Sequence, residues 1–228
     1  MATQPPAEMV DVTLADVTRT LAARVPLYRW RPPAYQTALL GDLRRIWRPS
    51  DRTVLDVGGG TGIIAQSIKE LFALDRVVSV DVEDRFLGGL DIETRTYDGR
   101  TLPFADRSFD CVVMSNVVHH VPKSVRAALL DECGRVAANG AVYIKDHMAA
   151  TRLDHLRLTI LDLLGNVPFG GMVRASYLEA ADWHALAQDA GFRIAAQRCG
   201  AYRGGAMARL FPNRLEVAMR WEKVSASQ

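Results

Sequence analysis

Two spacings of apolar residues divide the chain. From about Pro33 to Trp47, Leu39, Leu40, Leu43, Ile46 and Trp47 recur at helical intervals and form one apolar face. A helix before it runs from Thr13, whose hydroxyl is placed to cap with Asp16, to about Ala23, and the stretch Pro26 to Pro33 breaks it. Residues 1–10, with Pro5 and Pro6, read as disordered, and Pro49-Ser50-Asp51 as a turn. The pattern then changes. Val54-Leu55-Asp56-Val57 is a continuous run that enters Gly58-Gly59-Gly60-Thr61-Gly62, and Ile63 to Ile68 restarts a helical pattern that reaches about Leu71. This is a buried strand, a tight loop and a helix N-terminus.

Strands and helices go on alternating. Arg76 to Asp81 is a second buried strand, Ile92 to Tyr97 a weaker third and Phe109 to Ser115 a fourth. Pro122 opens a helix with Val125, Leu129, Cys133 and Val136 down one side; Asn139-Gly140 ends it, and Ala141 to Lys145 is a fifth strand. Arg152 to Leu164 is amphipathic, and Leu153, Leu156, Ile160, Leu161 and Leu164 predict a face that covers something. Gly165 to Gly171 is a loop. Ser176 with Glu179 predicts a capping box for a helix to about Ala190, closed by Gly191, and Phe192 to Cys199 and Arg214 to Trp221 are strands flanking the link Gly200 to Gly205. The alternation predicts an α/β, doubly wound, mostly parallel sheet with right-handed crossovers. A ligand is then expected beyond the carboxyl ends of the strands, where Asp56, Asp81, Asp98, Asn116 and His147 all fall.

Composition narrows the class. With 228 residues, 49% hydrophobic and 24% charged, the chain is long enough for a real core and ordinary for a soluble protein. It has neither a membrane-length apolar run nor a signal-peptide pattern, so the cytoplasm is expected. Cys111, Cys133 and Cys199 are scattered without CxxC spacing and read as buried free thiols. The net charge of +2 hides basic ends: arginines crowd Arg19 to Arg48 and Arg193 to Lys223. They read either as solvated faces or as a surface for an anionic acceptor, nucleic acid or membrane.

The loop carries the chemistry. Its glycines let backbone approach a ligand, and the free N–H groups of the helix start favour anionic or polar groups, so an adenine-containing cofactor is expected. The dinucleotide fingerprint needs glycine where Ile63 stands. Asp56, two residues before Gly58, would repel a diphosphate but could accept hydrogen bonds from an ammonium or a water. Val54 to Gly62 resembles the first motif of class I S-adenosylmethionine-dependent methyltransferases. The stretch Leu102 to Asp110, with Cys111-Val112-Val113 and Asn116 to Val121, is similar to the branch containing quinone-biosynthesis C-methyltransferases and small-molecule O- and N-methyltransferases.

The resemblance runs from about Thr53 to Phe192 and implies a seven-stranded Rossmann-like sheet, the last strand antiparallel. It implies S-adenosylmethionine held by Asp56, Gly58, Gly60, Asp81, Asp98, Gly99 and Asn116, with Asp81 on the ribose hydroxyls and Asp98 an acceptor for the adenine amine. Gly88-Gly89 interrupts the helix usual after the second strand, and Ala138-Asn139 replaces a usual Pro-Gly.

A base matters only when the acceptor carries a proton. The candidates are His119, His120 and His147, with Asp146 beside the last; His155 and His184 read as surface or packing residues. No metal site is expected, because no HxxxH or carboxylate-histidine pattern appears. Tyr28, Trp30 and Tyr35 either cap an acceptor pocket or pack on the sheet. The expected organisation is an N-terminal helical cap (1–48) and a methyltransferase domain (49–228), with 148–175 as a helical lid or acceptor insertion. The reading favoured is methyl transfer to a small molecule, with nucleic acid unlikely and peripheral contact with anionic surfaces possible by charge alone. Methylation of RNA or an anionic lipid-linked acceptor, an NAD(P)-dependent oxidoreductase and a non-catalytic cofactor-binding module are the alternatives. Asp56, Ile63 and the lack of a Tyr-x-x-x-Lys pair argue against the oxidoreductase.

Overall fold

The computed structural model describes residues 11–166 and 174–224. The expectation of disorder at 1–10 and most of the loop expected up to Gly171 lie outside them. Seven strands form one sheet: β1 (Thr53–Val57), β2 (Arg76–Asp81), β3 (Glu93–Thr96), β4 (Phe109–Ser115), β5 (Ala137–His147), β6 (Phe192–Arg198) and β7 (Glu216–Lys223), in the order β3-β2-β1-β4-β5-β7-β6. Only β7 runs antiparallel to its neighbours β5 and β6. The sheet reverses its winding between β1 and β4, which opens a crevice at their carboxyl ends.

Alternating side chains of the strands feed two cores. On one face, α1 (Leu14–Ala22), α2 (Ala34–Ile46) and α3 (Ile63–Phe72) bury Val17, Leu21, Leu39, Leu43 and Ile68 against Val54, Val77, Cys111 and Tyr143. On the other, α4 (Arg126–Val136) and α6 (Ala180–Asp189) set Leu129, Cys133, Trp183 and Ala187 against Leu55, Val78, Val112 and Trp221. At roughly 1.5–3 kcal/mol for each large apolar side chain removed from water, these two layers are the main favourable contribution to folding. The outer strand β3 is exposed throughout, and the Arg76–Glu93 ion pair lies along it. Charge on an edge strand blocks pairing with another chain.

Several elements match their sequence signals closely. Thr13 caps α1 by accepting from the backbone N–H of Asp16, and no helix separates β2 from β3, where Gly88-Gly89 lies. Others differ. Asn139-Gly140 does not end a helix: α4 has stopped at Val136, and the pair lies inside β5, beside an irregularity in its register with β4. Pairing with β4 already begins at Ala137, so the sheet overrides the local turn preference. The capping box of α6 is Glu179 with Asp182, not Ser176 with Glu179, because the Ser176 N–H is used by the His119 carbonyl. The link after β6 contains a short helix, α7 (Gly205–Leu210). Cys199 is exposed, whereas Cys111 and Cys133 are buried.

The helix α5 (Arg152–Asn166) shows the largest departure. Of the five residues expected to cover something, Leu153, Leu156, Ile160 and Leu164 face outward and Leu161 is partly buried beside Leu158, while Asp154, Leu158 and Asp162 are buried. These three stand four residues apart on one side, so the packed face is largely acidic. Partners compensate the burial: Arg214 and Arg157 pair with Asp154, and Tyr177 donates to Asp162 at 2.6 Å. No helix among the described residues is long and apolar enough to cross a membrane.

Candidate functional site

The glycine loop joins β1 to α3 at the crevice. Gly58 and Gly59 donate their N–H groups to the carbonyl of Val80, which ties the loop to β2. Gly58 has φ +77°, and a Cβ there would lie 2.5 Å from Val117. A Cβ on Gly59 would lie 1.8 Å from Ser79 Oγ and 2.5 Å from Asp56 Oδ2. Asp81, buried at the end of β2, accepts from the N–H of Gly60 at 2.7 Å and of Glu83 at 3.2 Å. Asp56 is buried beneath, accepting from Ser79 Oγ at 2.6 Å. Burial, with help from the neighbouring Asp81 charge, pushes its pKa up to about 7 against the pull of Ser79.

The structure thus joins Asp56, Asp81, Gly58 and Gly60 in one hydrogen-bonded loop. Asp98 stands apart: it is exposed, and its carboxylate accepts from the N–H groups of Thr101 and Arg100, which hold its pKa down. Gly99 follows with φ +75°. Asn116, just past β4 at φ +57°, takes part in a different network. Its Oδ1 lies 2.9 Å from Lys145 Nζ.

Lys145 is the centre of that network and is completely buried. Its ammonium lies 2.5 Å from Glu216 Oε2 and from the hydroxyl of Tyr35, and Arg203 binds the other oxygen of Glu216. Burial, the largest single influence, would lower the lysine pKa, but the charge and hydrogen bonds of Glu216 and Tyr35 together outweigh it and raise it. The carboxyl group of Glu216 is held well below its usual range in return, Lys145, His147 and Arg203 together outweighing burial. Tyr35 therefore packs into the site, whereas Trp30 is 87% exposed and caps nothing. Tyr28 accepts from Gln36.

The histidines cluster next to this network. A short turn, Val118–His120, follows β4 and places His119 fully inside. His119 Nδ1 is 2.5 Å from Asp146 Oδ1, and the N–H groups of Val118 and His147 also bind Asp146. Its Nε2 is 3.3 Å from Asp162 Oδ2 without the direction of a hydrogen bond. His147, at the end of β5, has Nε2 3.6 Å from Asp162 Oδ1 and Nδ1 3.1 Å from Glu216 Oε2. The two rings lie 4.9 Å apart.

Burial opposes protonation of His119, but Asp146 and then Asp162 raise its pKa to about 9. His120 tilts against His119 at 4.0 Å and is lowered by burial and by the His119 charge. The three histidines singled out in the sequence are thus brought together. Asp162, Glu216 and Lys145 were not foreseen: Asp162 lies in the helix whose opposite face carries the leucines, and Glu216 comes from the antiparallel strand.

The basic ends are largely spoken for. Arg24 pairs with Glu70, Arg48 with Asp51, Arg198 with Asp42, Arg203 with Glu216 and Arg214 with Asp154.

Residues 55–144 match a family model described as "Methyltransferase domain". An uncharacterized methyltransferase of Mycobacteroides abscessus is 37% identical over 103 residues, covering 41% of this chain and 38% of that protein. Another, of Mycobacterium tuberculosis, is 35% identical over 112 residues, covering 42% and 44%. The chain spans about two fifths of the length of these curated relatives. The fold is similar to a chain of the Haloferax volcanii complex between the Trm112 methyltransferase activator and a methyltransferase, at a TM-score of 0.66 and 15% identity over 90% of this chain and 96% of that one. It is similar to magnesium protoporphyrin IX methyltransferase of Synechocystis with bound SAH, at 0.57 and 19% over 87% of each. Sheet order, glycine loop and the match over residues 55–144 together make this region similar to a methyltransferase domain.

Proposed function

We propose that this chain transfers the methyl group of S-adenosylmethionine to a small-molecule acceptor and releases S-adenosylhomocysteine. The observation that carries the reading is the loop held by Asp81 through Gly60, with Asp56 buried behind it. Asp81 takes the ribose hydroxyls, Asp98 with Gly99 meets the adenine, Gly58 and Gly60 admit the cofactor to backbone contact, and Asp56 and Asn116 complete the wall. Residues 1–48 act as a helical cap and 148–175 as a lid or acceptor insertion. The acceptor belongs to the classes used by the quinone C-methyltransferase and small-molecule O/N-methyltransferase branch, and the reaction takes place in the cytoplasm.

The sulfonium leaves as a neutral thioether, so the residues mainly position the partners in line; such positioning is worth roughly 7–11 kcal/mol. Of the histidines, His120 suits a base: it is half-buried, and its lowered pKa keeps it neutral and able to accept a proton. His119 and His147 are enclosed by Asp146, Asp162 and Glu216 and act through position. The ion pairs of the basic ends speak against an RNA or anionic lipid acceptor.

The test is transfer of labelled methyl from S-adenosylmethionine into host extract separated into RNA, lipid and metabolite fractions. Label in a metabolite is expected. Label confined to RNA or lipid would replace the small-molecule reading, and a bound cofactor with no transfer to any fraction would favour a non-catalytic module. In the same assay with an identified acceptor bearing a proton, His120→Gln should lower kcat by about 10²–10⁴-fold.

A further inference from the structure

We propose that His119, His147 and Asp162 form a binding site for one divalent transition-metal cation, of the Zn²⁺ type, that fastens α5 to the carboxyl ends of β4 and β5. Among the described residues these three offer donor atoms that all lie within 4.8 Å of one another, and all three are buried. His119 Nε2 stands 3.3 Å from Asp162 Oδ2, and His147 Nε2 stands 3.6 Å from Asp162 Oδ1. Donors bound at about 2.0–2.1 Å in a tetrahedron are separated by about 3.4 Å, so these edges need only small adjustment.

The orientation of the rings is the second observation. His119 Nε2 is buried and lies 3.3 Å from Asp162 Oδ2 without a directed hydrogen bond. Its other nitrogen is fixed by the Asp146 carboxylate, and the far nitrogen of His147 faces Glu216 at 3.1 Å. A carboxylate bonded behind His119 and a hydrogen bond on the ligating carboxylate, here from Tyr177, are supports that orient metal ligands. Two nitrogens and one oxygen match Zn²⁺ and its neighbours better than Mg²⁺ or Ca²⁺, and three protein ligands leave a position for water or another small oxygen donor.

The three ligands come from the turn after β4, the end of β5 and the middle of α5. The cation therefore acts as a clasp on a helix whose apolar anchorage is the buried Leu158 and the partly buried Leu161. The test uses the full chain, freed of metal by a chelator and titrated with Co²⁺ as the probe. The expected result is one Co²⁺ per chain with visible d–d absorption, displacement by Zn²⁺, and slower amide exchange along residues 152–162 when the cation is bound. Asp162→Asn and His147→Gln should each weaken Co²⁺ binding at least about tenfold, and Asp146→Asn by about 10–100-fold. Absence of stoichiometric binding by the folded wild-type chain would overturn the proposal, leaving His119 and Asp162 as an ion pair. So would wild-type affinity in a folded Asp162→Asn chain. The wild-type titration decides even where a variant fails to fold.

Discussion

Asp81 Oδ2 accepts a 2.7 Å hydrogen bond from the backbone N–H of Gly60, so a carboxylate at the end of β2 fixes the loop that leaves β1. The contact unites a binding group with the backbone that must approach the ligand. Asp81→Ala should weaken S-adenosylhomocysteine binding by about 1.5–3 kcal/mol, the range for a hydrogen bond to a charged group. Calorimetric titration reads it directly, and unchanged affinity would remove Asp81 from the site.

Gly59→Ala should damage the same loop from below. The new Cβ overlaps Ser79 Oγ, and turning Ser79 aside leaves the buried Asp56 carboxylate without its donor. A loss of about 1–3 kcal/mol in stability is expected from urea denaturation. Wild-type stability would mean that the strands yield more easily than their packing implies.

Asp56 makes stability depend on pH in a direction opposite to that of most carboxylates. Its pKa is near 7 when folded and about 3.9 when unfolded, so the folded state holds the extra proton between these values. This contribution is fully present below the unfolded value and is lost as pH rises through about 7. The cofactor-free wild type should therefore lose more stability than Asp56→Asn between about pH 4 and about pH 7. Equal slopes in the two chains would show that Asp56 ionises freely.

Lys145→Met should cost about 3 kcal/mol, since it strands Glu216 as a buried carboxylate with Arg203, His147 and the Tyr35 hydroxyl left beside it. Adding Glu216→Gln should recover part of that loss, because the uncompensated charge is gone. Chemical denaturation of the two single variants and the double variant measures the coupling. Strict additivity would deny it.

Much of the fold was legible residue by residue. β2 and β4 have the limits their apolar runs set, and Thr13 caps the helix its spacing with Asp16 announced. Where the sequence misled, a longer-range partner had overruled a local preference. Asn139-Gly140 is a turn signal taken into β5 by β4, and Leu153, Leu156, Ile160 and Leu164 of α5 lie exposed while Asp154, Leu158 and Asp162 pack.

By itself the sequence determined the alternation of strands and helices, the glycine loop and the acids at the strand ends. Those features are periodic or contiguous, and short-range sterics and apolar patterning dictate them. Only the tertiary structure decided that Asp162 meets His119 and His147, that Glu216 neutralises Lys145, and that Arg24, Arg48, Arg198, Arg203 and Arg214 of the chain ends are paired. These contacts join residues separated by 15 to 71 positions in the site itself. Their partners are chosen by which helix faces the sheet and by the antiparallel entry of β7, and neither is written in any local run of residues.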